Sequence, residues 1–150
     1  MGNYWGKKAN YLETRLFIRD FIELLNKVIN NRLLTARIIG NPDIERLEIL
    51  LDKVCAPHDE KWNNMVRVTV CMCESGLSHT FIGLLKELVK ETTKSCHLLT
   101  FYALLVDVSV KLLQTNQALN ISYELMKIHN VISRTIDFNV LTQTWFMMKF

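Results

Sequence analysis

The stretch KSCHLLTFYALLVDVSVKLL, residues 94–113, decides the fold. From Leu98 to Leu113 only Thr100, Asp107, Ser109 and Lys111 interrupt an unbroken run of Leu, Val, Ala, Phe and Tyr. Such a segment is apolar nearly all round, as a helix surrounded by other helices must be. Asp107 and Lys111 interrupt it, which favours a buried helix over a membrane span. It therefore predicts a buried central helix over 94–114. Its entrance is odd, because packing alone would not select Lys94-Ser95-Cys96-His97 to open a core helix.

Outward from this segment, period-3.6 patterning dominates and strand-like alternation is nearly absent. Toward the N-terminus, YLETRLFIRDFIELLNKVIN (11–30) puts Leu12, Leu16, Ile18, Phe21, Ile22, Leu25 and Val28 on one stripe, with charges mainly opposite. This first helix runs down at Asn30-Asn31. Asn41-Pro42-Asp43 supplies a cap and a first-turn proline for a second, carrying Ile44, Leu47, Leu50, Leu51 and Val54. Pro57 marks its end or a kink. Residues 60–74 alternate at Val66, Val68 and Val70 yet also form a helical face of Trp62, Met65, Val66, Thr69, Val70 and Cys73. With no partner strand, helix is the better reading. Gly76 closes it, and Ser78 caps a helix over 79–91. Thr115-Asn116 caps the next, 117–133, and 136–148 reads as a last one. With no linker and no repeats, the expectation is one all-α domain, 1–150, of about seven helices around a buried one.

Composition narrows function mainly by exclusion. Of the 150 residues 49% are hydrophobic, the mean hydropathy is +0.11 and the net charge is +3. No block of like charges and no Arg/Gly/aromatic interleaving occurs, which argues against nucleic acid as a partner. Cys55, Cys71, Cys73 and Cys96 follow no signal peptide and read as free thiols in a reducing compartment. The closing WFMMKF is too short for a transmembrane anchor. MGNYWGKK approaches a myristoylation signal but has Gly6 where Ser or Thr belongs. Asn120-Ile-Ser122 matches a glycosylation sequon that a cytosolic protein does not use.

No constellation points to catalysis or a metal. Cys55-Ala-Pro-His58 and Cys71-Met-Cys73, with His79 nearby, offer zinc-like spacings without the usual pair of tight knuckles. Cys96 and His97 are adjacent, so on a helix they diverge by about 100° and make a poor nucleophile-base pair. No phosphate-binding Gly-rich loop, HExxH or GxSxG is present. No cofactor, metal or enzymatic activity is expected; an all-helical recognition module is.

From Phe81 onward the sequence resembles the Bcl-2 family of apoptosis regulators. FIGLLKELVKETTKSCHLLTFYALL aligns without gaps on that family's first homology motif, F-x-x-V-x-x-E-L-F-x-D-G-x-N-W-G-R-I-V-A-x-F. Phe81, Leu84, Glu87 and Leu88 match directly or conservatively, Val89 stands for the motif's Phe and Glu91 for its Asp. Lys94-Ser95-Cys96-His97 occupies the place of asparagine-tryptophan-glycine-arginine, and Leu98, Leu99, Thr100 and Phe101 continue the run. Upstream, Leu47-Glu-Ile-Leu-Leu-Asp52 resembles the third motif, L-x-x-x-G-D, with Leu51 in place of the small residue. The first helix takes the fourth motif's place, and the second motif is barely detectable near Trp145. Short length and degenerate motifs resemble the Bcl-2-like proteins of large DNA viruses such as iridoviruses and poxviruses.

The resemblance implies a Bcl-2-like bundle that inhibits apoptosis by holding the homology motif 3 helix of pro-apoptotic Bcl-2 proteins in a hydrophobic groove. The implied groove residues are Phe81, Leu84, Glu87, Leu88, Lys94, Cys96, His97, Leu99, Thr100 and Leu104. Cys96 replaces the glycine that lets the partner approach. His97, and after it Lys94, replaces the arginine that meets the partner's aspartate. A shorter, only partly charged group predicts a narrow partner range and a pH-sensitive contact. The other function implied by viral relatives is antagonism of innate immune signalling through another face. The resemblance places such a protein in the host cytoplasm, reaching mitochondria through its partners. Apolar surface at the groove and termini further predicts a homodimer.

Overall fold

The computed structural model describes residues 20–34, 42–55, 59–90, 94–116, 118–137, 139–141 and 143–144, with the backbone alone of Cys55 and Ser95. Residues 11–19 of the first expected helix, the Asn41 cap, Pro57, His58, Glu91, Trp145 and both termini lie outside these. Every described element is helical. α1 spans 20–33, α2 Pro42–Cys55, α3 Asp59–Met72, α4 Leu77–Lys90, α5 Ser95–Thr115 and α6 Ile121–Thr135, with further helical residues at 139–141 and 143–144.

The buried side chains repeat at helical spacing. α1 buries Phe21, Leu25, Val28 and Ile29, α2 Ile44, Leu47 and Leu51, and α4 Leu77, Phe81 and Leu85. α6 buries Ile121, Leu125, Ile128 and Ile132. α5 differs from the rest, because Leu98, Leu99 and every residue from Phe101 to Val106 are buried. It is the central helix that its sequence predicts. α2, α3 and α4 pack on it, and α6 packs on α4. α1 reaches it through Phe21, whose ring meets Tyr102 edge-on at 4.6 Å. By length and apolarity residues Cys96–Thr115 could also cross a membrane, but 56% of that window is buried inside the fold.

Several boundaries differ from expectation. α1 continues through Asn30-Asn31 to residue 33, because Asn31 is buried and Arg32 is held by ion pairs. α4 starts at Leu77, so Ser78 lies inside its first turn, where its N–H donates to the Glu124 carboxylate of α6 at 3.2 Å. Asn116 closes α5 through Leu112 and its side chain then accepts from the Ala118 N–H. The cap of α6 is Asn120, which accepts from the Tyr123 N–H at 3.2 Å. Ile136 is extended and residue 137 is not helical, so the last helical stretch begins after 137 rather than at 136.

The α3–α4 corner is short. A single 3-10 turn, Cys73–Ser75, ends at Gly76, and the two helices then meet at 117°. Gly76 has φ +115°, a backbone region that side chains with a Cβ rarely enter. Thr80 Oγ1 stitches the corner by donating to the carbonyls of Met72 (3.0 Å) and Gly76 (3.1 Å).

Candidate functional site

An open pocket of about 460 Å³ lies where α2, α3 and α5 converge, lined by Val54, Lys61, Trp62, Met65 and Thr100. Its size falls in the usual range for ligand sites, and its walls are mostly apolar. The local sequence builds it simply. Trp62, Val66 and Thr69 form the buried face of α3, so Lys61 and Met65 fall one residue, about 100°, away from that face. Met65, expected on the buried face, is instead 43% exposed.

Among the described residues Lys61 is the one cation lining the pocket, and there it is exposed and has no ion pair. Beyond it the same face of α3 continues through Met65, Val68 and Met72, at spacings of four, three and four residues. Val68 and Met72 are 52% and 51% exposed. The result is an uncovered apolar strip about 16 Å long, with a lysine at one end.

Behind the pocket wall sits a polar cluster that joins four helices. Asp107 of α5 accepts from Arg32 Nη1 on one carboxylate oxygen and from Trp62 Nε1 on the other, both at 2.6 Å. The same guanidinium donates to Glu48 at 3.2 Å and approaches Asp52 at 3.7 Å. Sequence reading treats Asp107 only as an interruption of an apolar run and misses this role. The available signal was the carboxylate itself, since a charge on a buried helix needs a partner.

The residues implied by the family resemblance differ in burial and in their local partners. Thr100 lines the pocket, its hydroxyl donating to the Cys96 carbonyl at 2.9 Å. Phe81, Leu99 and Leu104 are buried in the core, and Leu84 and Leu88 are half-buried against it. Glu87 is exposed and pairs with Lys90 at 3.0 Å. Lys94 is the exposed N-cap of α5 and Cys96 an exposed thiol in its first turn. His97 is half-buried, and its Nδ1 accepts a long, 3.4 Å hydrogen bond from the Lys94 N–H. Of the third-motif residues, Leu47 and Leu51 are buried, whereas the Asp52 side chain is 74% exposed.

Two perturbed groups lie elsewhere. His129 of α6 is fully enclosed, its ring stacked on Tyr102 at 5.3 Å and met edge-on by Phe21 at 6.0 Å. Neither ring nitrogen has a hydrogen-bond partner among the described residues. Burial pushes its pKa down to about 3 and pushes the Tyr102 phenol up. Burial also raises the Cys73 thiol, with a hydrogen bond to Thr80 opposing. Cys71, Cys73 and Cys96 are free thiols, and no group of three potential metal ligands gathers among the described residues.

No family model, curated protein or solved structure matches this chain.

Proposed function

We propose that this protein is a Bcl-2-like inhibitor of apoptosis, of the kind encoded by large DNA viruses. It sequesters the homology motif 3 helix of pro-apoptotic Bcl-2 proteins beside its central helix. The observation that carries the reading is the open apolar pocket against α5. A helix laid in a groove needs apolar hollows for its i, i+3, i+4 and i+7 side chains. A central helix wrapped by amphipathic neighbours, with the two motif-like segments on α2 and on α4–α5, supports the same reading. The protein acts in the host cytoplasm and reaches mitochondria through its partners.

Titration of the 150-residue chain with synthetic motif 3 peptides from several pro-apoptotic proteins tests this. Saturable binding of one or a few peptides, with helix gained on binding by circular dichroism, is expected. Absence of binding by every peptide at high micromolar concentration would refute groove binding.

A further inference from the structure

Resting on the helix-sequestering reading, we infer that the polar anchor for the partner is Lys61 of α3 rather than His97 of α5. On this inference Met65, Val68 and Met72 carry the partner's apolar face away from that anchor along α3. Three observations combine. Lys61 lines the pocket and is unpaired among the described residues, so it is free to receive a carboxylate. His97 already spends Nδ1 on the start of its own helix and lies outside the residues lining the pocket. Met65, Val68 and Met72 continue the lysine's face for about two turns beyond it, with exposed Arg67 lying one residue off that line.

The occupant this surface fits is an amphipathic helix with an acidic residue at one end of its apolar stripe. A cation with no acid to satisfy it selects that chemistry, and the length of the strip selects a helix of three or more turns. Two other cations are already engaged. Arg32 is shared among Glu48, Asp52 and Asp107, and Lys90 is paired with Glu87. The inference also fixes polarity, because the partner's acid must lie toward the start of α3 and its apolar residues toward Met72.

The test measures affinity for one binding motif 3 peptide and for its Asp→Lys variant, using the 150-residue wild type, Lys61→Ala, Lys61→Glu, Val68→Glu and His97→Ala. All three substituted positions are exposed or half-buried, and circular dichroism confirms folding. Lys61→Ala should weaken binding about five- to tenfold and flatten its salt dependence. Val68→Glu should weaken it at least tenfold. Lys61→Glu should restore binding of the Asp→Lys peptide, a reciprocal effect that mere structural damage does not produce. If the wild type binds but Lys61→Ala is neutral while His97→Ala loses the peptide, the anchor assignment fails and the proposed function stands. If no peptide binds wild type, both fail. If Val68→Glu only breaks a dimer and leaves peptide affinity unchanged, the strip belongs to a second copy of the chain and the inference is overturned.

Discussion

The indole N–H of Trp62 and the carboxylate of Asp107 meet at 2.6 Å, so a wall of the pocket is tied to the middle of the central helix. The other oxygen of Asp107 holds Arg32 of α1, also at 2.6 Å. Asp107→Asn would leave Arg32 with Glu48 and Asp52 and weaken both bonds to the central helix. The side chain is 28% exposed, so water offsets part of the loss. A destabilisation of about 2 kcal/mol is expected, at the lower end for one member of a part-buried pair. Urea unfolding should show a lower midpoint with unchanged slope.

Leu105 is 0% exposed at the centre of α5. Leu105→Ala should cost about 2–5 kcal/mol through lost transfer energy and the cavity left behind. Leu105→Asp would bury an unpaired charge and consume most of a domain's ordinary margin. A melting temperature unchanged in either variant would contradict the placement of α5.

His129 makes stability depend on pH. Its folded pKa, about 3, lies below the ordinary unfolded value of 6.5. The stability it contributes as a neutral ring is fully present above pH 6.5 and is lost as pH falls from there toward 3. The unfolded chain takes up the proton first, giving a slope approaching ~1.4 kcal/mol per pH unit. Unfolding free energy should therefore fall between pH 7 and 5, before ordinary carboxylates titrate. His129→Phe, which keeps a flat ring against Tyr102, should abolish most of that slope. A wild-type curve flat from pH 7 to 5 would show that His129 is not enclosed.

The exposed Met65, Val68 and Met72, with Tyr123 and Met126 on α6, leave apolar surface that a second copy could cover. A two-fold homodimer is expected, and light scattering across a dilution series checks it. Were the α3 strip the dimer contact, peptide binding and dissociation would be linked, and added peptide would shift the population to monomer. A dimer that persists with peptide bound would place its contact elsewhere, for instance at Tyr123 and Met126.

What was legible in the sequence follows from what each residue answers to. α5 was legible because residues 98–113 are apolar on every face, which only a surrounded helix satisfies. The start of α6 was not, because Thr115, Asn116 and Asn120 are all capping residue types. The choice fell to Asn120, whose side chain meets the Tyr123 N–H. Ser78 looked like a cap, but its N–H is taken by Glu124 on α6, 46 residues away. Asp107 could be seen as a charge in need of a partner, yet nothing in its neighbourhood names Arg32, 75 positions distant. For the same reason the pocket escaped notice. It is made by the ends of three helices, and a face displaced by one residue turned Met65 outward.

The corner at Gly76 restricts how this chain can change length. One residue in the left-handed region turns the path by 117°, and no slack lies on either side. Inserting a single residue there would advance α4 by about 100° about its own axis. Phe81 and Leu85 would rotate out of the core, and exposed Glu87 and Lys90 would turn with them. Alanine at 76 would meet no atom within 4 Å and would still be strained by its backbone angle. Homologous chains are therefore expected to vary in length elsewhere, while the distance between Trp62 and Phe81 stays fixed to the residue.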